Sequence, residues 1–206
     1  MNKKFKEFGI IGIELLDLLG EENGLIAGSF PLSIYLEKKG LQTFKPTDID
    51  IFINKNQDFH KVVKFIKYFG YEFEGPYEKD NYPDVHKIYI GRQKVSGNSV
   101  QVIVTKNSPR QSVLNFDLTC CQAFIDNEFR HVFHLDQENV DQMRTSYNTL
   151  EKVFQHTTEK RFVKYFDRGF KFFCGEVDIT DRFKGYPSYE NIIAVHKKYK
   201  SQKFPS

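Results

Sequence analysis

The sequence predicts a mixed α/β domain, on three observations. Short apolar strand signals alternate with helical periodicity through the first 70 residues. A run of hairpin signals follows, and a strongly periodic helix comes after it. At 206 residues, 40% of them hydrophobic, the chain suits one domain with a real core, in which Phe (21) and Tyr (11) supply bulk that Trp (0) does not.

The elements follow in order. Residues 4–19 read as an amphipathic helix ending at Gly20, weakened by Gly9 and Gly12. Leu25–Ala27 is a short buried strand, and a helix led by Pro31 runs to a stop at Gly40. Asp48–Ile53 is a strand. Gln57–Phe69 is a helix whose stripe is Phe59, Val62, Val63, Ile66 and Phe69. "YEFE" is a short strand and "GPYEKDNYPD" a loop. "VHKIYIGR" and "SVQVIVT" form a hairpin, and Ser108-Pro109 caps a short helix through Leu114. "NFDLTCCQAFI" and "EFRHVFHL" form a second hairpin around Asp126-Asn127. Thr157–Phe173 is the last strong helix, and Ser188–Tyr199 is a further helical segment. No repeat or low-complexity linker divides the chain, so residues 1–206 read as one domain with 151–206 a basic, helical C-terminal part.

Composition narrows the class. The net charge of +3 and pI near 8.6 are too mild to imply nucleic acid by themselves. The charge is uneven, however: residues 151–206 hold 12 Lys/Arg against 7 Asp/Glu. That balance suits a polyanionic partner docking there, or an ordinary solvated surface. No apolar run is long enough for a span, and the basic start lacks a cleavage site, so the expectation is an intracellular, cytoplasmic protein without a membrane partner. The three cysteines include the adjacent pair Cys120-Cys121, which is no disulfide framework and lacks the spacing of a zinc knuckle. The histidines do not assemble a metal site by spacing, and no Ser-His-Asp arrangement, Walker loop or dinucleotide fingerprint is present.

The chemistry concentrates in two places. On a strand, Asp48 and Asp50 share one face and Ile49, Ile51 and Ile53 the other. Their α-carbons stand about 6.6 Å apart, from a rise of roughly 3.3 Å per residue. Two bare carboxylates at that separation repel, and a hard divalent cation, Mg²⁺ or Mn²⁺, turns the repulsion into binding. Gly28-Ser29 lies between a strand and a helix start, where backbone N–H groups and the helix dipole favour an anion. A phosphate cradle beside a metal site suits a nucleoside triphosphate.

"AGS" followed by "TDIDIFI" resembles the nucleotidyltransferases of the DNA polymerase β superfamily, which carry Gly-Ser before an Asp-x-Asp strand. "SPRQSVLNFDLTCCQAFI" and "TTEKRFVKYFDRGFKF" are similar to segments of nucleotidyltransferase-like proteins of large DNA viruses and phages. The likeness spans roughly residues 24–172. It implies a palm-like mixed sheet flanked by helices, and a viral source with the host cytoplasm as setting. It implies transfer of a nucleoside monophosphate from an NTP, ATP foremost, to an acceptor hydroxyl, with release of pyrophosphate and the help of two Mg²⁺ (or Mn²⁺). The basic C-terminal third favours a nucleic acid, such as RNA, as acceptor.

The resemblance also implies a third acidic residue on a later strand. Asp117, placed by alternation on one face with Thr119 and Cys121, is the candidate metal ligand and base. The rival position is Gln101 on "SVQVIVT", and Gln is neither a base nor a good ligand. Gly28 and Ser29 would grip phosphates. Arg161, Lys164 and Arg168, within the basic stripe completed by Lys171, are the candidate nucleotide contacts, with a solvated helix face as the alternative. Two further functions stay open: the same fold binding nucleotide or nucleic acid without turnover, and a partner-binding protein with no nucleotide site.

Overall fold

A computed structural model describes residues 1–78, 84–128, 130–146 and 155–183, with positions 188, 190, 191, 194 and 198 beyond them. Its elements are α1 (Asn2–Glu7), α2 (Gly12–Glu21), β1 (Leu25–Ala27), α3 (Ser29–Lys38), β2 (Asp48–Asn54), α4 (Phe59–Tyr68), β3 (Tyr71–Tyr77), β4 (Val85–Gln93), β5 (Ser99–Thr105) and α5 (Pro109–Leu114). There follow β6 (Ala123–Ile125), β7 (Phe133–His134), α6 (Gln137–Asp141), β8 (Arg144–Ser146), α7 (Gln155–Asp167), β9 (Lys171–Cys174) and β10 (Val177–Asp178). Seven strands form one mixed sheet in the order β3-β4-β5-β2-β1-β6-β7, and β10-β9-β8 form a small second sheet.

Alternation along β2 decides how the domain is layered. Ile49, Ile51 and Ile53 are fully buried, in line with Val100, Val102 and Val104 of the parallel neighbour β5. That face packs on Phe5 and Phe8 from the first helical turns, Leu15, Leu16 and Leu19 of α2, and Val62, Val63 and Ile66 of α4. The helices present these residues at three- and four-residue spacing, so their apolar stripes meet the flat isoleucine-valine surface. The opposite face carries a smaller cluster in which Phe52 meets Leu25, Ile103, Val113 and Phe124. The cluster covers one end of β2, and Asp48 and Asp50 occupy the other.

A third cluster joins the C-terminal elements to the rest. Leu32 and Leu36 of α3 meet Phe162 and Tyr165 of α7, with Phe170 and Phe172, and with Leu118, Cys120 and Ala123. The rings of Phe162 and Phe172 stack at 4.2 Å. Helix α7 is thereby fixed over α3 and the 3-10 turn Thr119–Cys121.

Several expected elements differ, each for a local reason. The expected helix over residues 4–19 is two helices, because Gly9 adopts φ +68° and turns the chain between them. The helix expected over Thr157–Phe173 ends at Asp167, since Gly169 at φ +85° closes it, and Lys171 and Phe173 lie on β9. The described C-terminal part, expected to be helical, is α7, then the strands β9 and β10 and the 3-10 helix Thr180–Phe183, with Glu190, Asn191, Ala194 and Lys198 helical beyond them. The expected strand "NFDLTCCQAFI" shrinks to Ala123–Ile125. Cys120 N–H donates to Thr145 Oγ1 (3.1 Å) and Ser146 N–H to Thr119 Oγ1 (3.0 Å), which holds Thr119–Cys121 as a 3-10 turn against β8. Asp117 thus sits at a bend before that turn, not on a strand. "YEFE" extends through Gly75 to Tyr77, and the second hairpin keeps only Phe133–His134 of its outer strand. The helical segment expected over Ser188–Tyr199 lies largely outside the described residues.

Candidate functional site

Strand β1 enters the core as Leu25-Ile26-Ala27, all buried, and its antiparallel pairing sets Ala27 against Asp50. Gly28 then turns the chain with φ +82°, a left-handed conformation that suits glycine, and Ser29 opens α3. The turn is close: a Cβ on Gly28 would lie 3.3 Å from Asp50 Oδ2. Ser29, itself buried, donates its hydroxyl to Asp48 Oδ1 at 3.2 Å. The bend and the two carboxylates, about twenty residues apart in sequence, are in direct contact.

The bend offers less backbone than the sequence suggests. Gly28 N–H is used in the sheet, donating to Ala123 C=O at 3.0 Å. The donors left for an anion are those of the first helical turn, Ser29 and Phe30, whose N–H groups have no intrahelical acceptor. Pro31 has none to give.

Asp50 is the electrostatic centre. Its Oδ1 is buried and, among the described residues, has no hydrogen-bond partner. Burial and then the negative charge of Asp48 push its carboxyl up to about 7, against the opposing pull of Lys164 and Arg161. Asp50 is half-buried, and its buried Oδ1, unpartnered among the described residues and beside a second carboxylate, fits a divalent cation. Asp48 and Asp50 supply the hard, anionic oxygens that such an ion needs.

Arg161 and Lys164, both on α7, act on Asp50 by charge. Arg161 also donates Nη1 to Asp117 Oδ1 at 2.8 Å. Asp117 is mostly buried and accepts a second hydrogen bond from Leu118 N–H at 3.0 Å. Among the described residues no three His, Cys, Asp or Glu side chains are grouped to hold a metal ion, so Asp117 does not join Asp48 and Asp50 in such a group. The residue beside Asp50 on the next strand is Gln101, its register partner on β5.

Arg168 stands apart from the other two cations. Its guanidinium lies 3.4 Å from the ring centre of Phe44 and 5.0 Å from that of Tyr165. Its Nη1 is buried and unpartnered among the described residues. This packing pins the end of α7 to the loop that leads into Asp48. Phe44 carries no periodic signal in the sequence, and only the structure reveals the contact. Lys171, on β9, is exposed.

A family model described as Gabija anti-defense 2 family protein matches residues 1–146. The chain belongs to that family. The matched segment contains the Gly28-Ser29 bend, both aspartates of β2, Gln101 and Asp117, and it ends before α7. Among solved structures, the Thermotoga maritima CCA-adding enzyme complexed with tRNA is similar, with a TM-score of 0.58 and 16% identity over 93% of this chain and 42% of that one. At such identity the likeness shows the fold, which is nucleotidyltransferase-like: a mixed α+β domain with its large sheet flanked by helices. The chain spans less than half the length of that enzyme. A comparison with curated proteins finds no match. No described helix is long and apolar enough to cross a membrane.

Proposed function

We propose that this family member is a metal-dependent nucleotidyltransferase that acts against the Gabija defence. The observation that carries the reading is the paired carboxylate of Asp48 and Asp50 in contact with the Gly28-Ser29 bend, with Asp50 Oδ1 buried and unsatisfied. The fold and the family description support it.

In this reading the triphosphate of an NTP, ATP foremost, lies at the start of α3. The helix dipole and the N–H groups of Ser29 and Phe30 favour its charge. Lys164 and Arg161 add positive charge from α7, which relieves the repulsion between the triphosphate and the two aspartates. Mg²⁺ or Mn²⁺ on Asp48 and Asp50 would supply neutralisation of phosphate charge and polarisation of the reacting oxygens. The acceptor oxygen bonds to the α-phosphorus as the bond to the β-phosphate oxygen breaks. Pyrophosphate leaves, and the hydroxyl proton passes to solvent. Asp117 already accepts from Arg161 and Leu118, so it serves in this reading to position Arg161. The acceptor hydroxyl belongs to a nucleic acid, to which the excess positive charge of residues 151–206 is suited.

A second reading has its own observation. Gln101 beside Asp50 leaves the site with two carboxylates, which suits a protein that holds a metal-bound nucleotide without transferring it. Incubation with Mg²⁺, α-labelled NTPs and, in separate reactions, RNA, DNA or Gabija proteins distinguishes the two. Label transferred to an acceptor by the native chain, and lost in Asp48→Ala, supports transfer. Nucleotide bound with no acceptor labelled supports the second reading.

A further inference from the structure

Pairing across the large sheet places a row of side chains at the level of Asp50. Across the five central strands it reads Phe124 of β6, Ala27 of β1, Asp50 of β2, Gln101 of β5 and Ile90 of β4. Residues paired in this way share a face of the sheet and stand about 5 Å apart. Of these five, Asp50 alone is ionisable; the next acid in the row, Glu74 of the edge strand β3, is three strands away from it. The register partner of Asp48 on β5 is Ser99, which is neutral as well. The strands flanking β2 therefore bring no acid to either aspartate, and Asp117 is engaged by Arg161 and Leu118.

The supply of anionic protein ligands then limits what the site can hold. Asp48 and Asp50 are two carboxylates, enough to share one divalent cation with the triphosphate. Two such cations held about 3.5–4 Å apart repel each other strongly and need bridging anionic oxygens. Gln101 can offer only a neutral amide oxygen. Lys164 and Arg161 add positive charge that acts on Asp50.

We propose that the pair Asp48–Asp50 takes a single divalent cation, and that Gln101, in the strand position beside Asp50, keeps a second from binding. This rests on the reading of the pair as a metal–nucleotide site, and it holds whether or not the bound nucleotide is transferred. Arg161 and Lys164 supply the positive charge that a second ion would bring. A carboxylate at position 101 would share the face and the level of Asp50 and complete a site for two ions.

The test counts ions. The full chain is mixed with Mn²⁺ and an ATP analogue whose α,β bridge cannot be cleaved, and native mass spectrometry reads the composition of the complex. One Mn²⁺ per nucleotide-bound native chain and two in Gln101→Glu is the result expected. Two Mn²⁺ in the native chain overturns the proposal and leaves the nucleotide site standing, as does a folded Gln101→Glu chain that still takes one. If Gln101→Glu does not fold, anomalous scattering from Mn²⁺ in crystals of the native complex decides by itself: one peak at Asp48 and Asp50 supports the proposal, two overturn it. A native chain that takes up neither nucleotide nor Mn²⁺ overturns the metal–nucleotide reading and this proposal together.

Discussion

Asp50 sets the chemistry at the scale of single residues. A carboxylate buried without a donor disfavours its charged form, and its carboxyl rises to about 7 from the ordinary 3.8, through burial first and Asp48 second. The sign of the pH effect follows. The folded chain holds the Asp50 proton more tightly than the unfolded chain, so this group favours folding at low pH. That contribution is lost as pH rises through the interval from about 4 to about 7. In urea unfolding without metal, the native chain is expected to lose stability between pH 5 and pH 8. Asp50→Asn removes the loss and is more stable at pH 8, because the neutral amide carries no charge for burial and Asp48 to penalise. Mn²⁺ reverses the loss in the native chain and leaves the Asn variant unchanged. Equal pH slopes in the two proteins would show that Asp50 is solvated.

The elements that position this residue were legible to different degrees. Strand β1, with its pure apolar run, reads correctly to the residue, and β2 extends one residue past its expected end. Helix α5 is marked at both ends, by Ser108, whose hydroxyl accepts from Gln111 N–H at 3.2 Å, and by the end of its apolar pattern at Leu114. The bend at Asp117 was not legible. Alternation in "NFDLTCCQAF" suggests a strand, but the hydroxyls of Thr119 and Thr145 divert the chain, and β8 lies far off in sequence. The same holds for Arg168, whose partner Phe44 sits in a loop without periodicity. Helix α7 reaches the site through Arg161, and its ion pair with the mostly buried Asp117 spans 44 positions of chain. Arg161→Ala is expected to destabilise the protein by about 1–3 kcal/mol, because Asp117 loses a charged donor while staying buried. Arg161→Lys recovers part of the loss, since lysine keeps the charge without the planar fork. Chemical unfolding of the three proteins checks the order; an unchanged Ala variant would mean that the pair is solvated.

For the whole molecule, the question is whether the C-terminal elements fold with the sheet. The excess of positive charge in residues 151–206 shows in the composition, but the seam that joins the described part to the domain does not. Phe162 is fully buried, stacks on Phe172 and belongs to the cluster that includes Leu32 and Leu36 of α3. Its stripe partners in the sequence, Phe166, Phe170 and Phe173, suggest one helical face. The chain instead folds back at Gly169, and Phe172 from β9 supplies the stacking ring. Phe162→Ala is expected to cost about 3–5 kcal/mol, as other buried aromatic truncations do. The loss should appear in one cooperative transition seen alike by far- and near-ultraviolet circular dichroism. Two separate transitions would show that α7 and the small sheet form a unit of their own, with Arg161 and Lys164 no longer fixed over the aspartates.

Calorimetric titration of a non-cleavable ATP analogue into the native chain, with and without Mn²⁺, tests the joined carboxylate pair and bend most directly. Binding that requires Mn²⁺, and is abolished by Asp48→Ala in a protein that remains folded, is expected if the carboxylate pair and the bend form one metal–nucleotide site. Binding that is indifferent to Mn²⁺ and survives the loss of Asp48, or no binding at all, would contradict it.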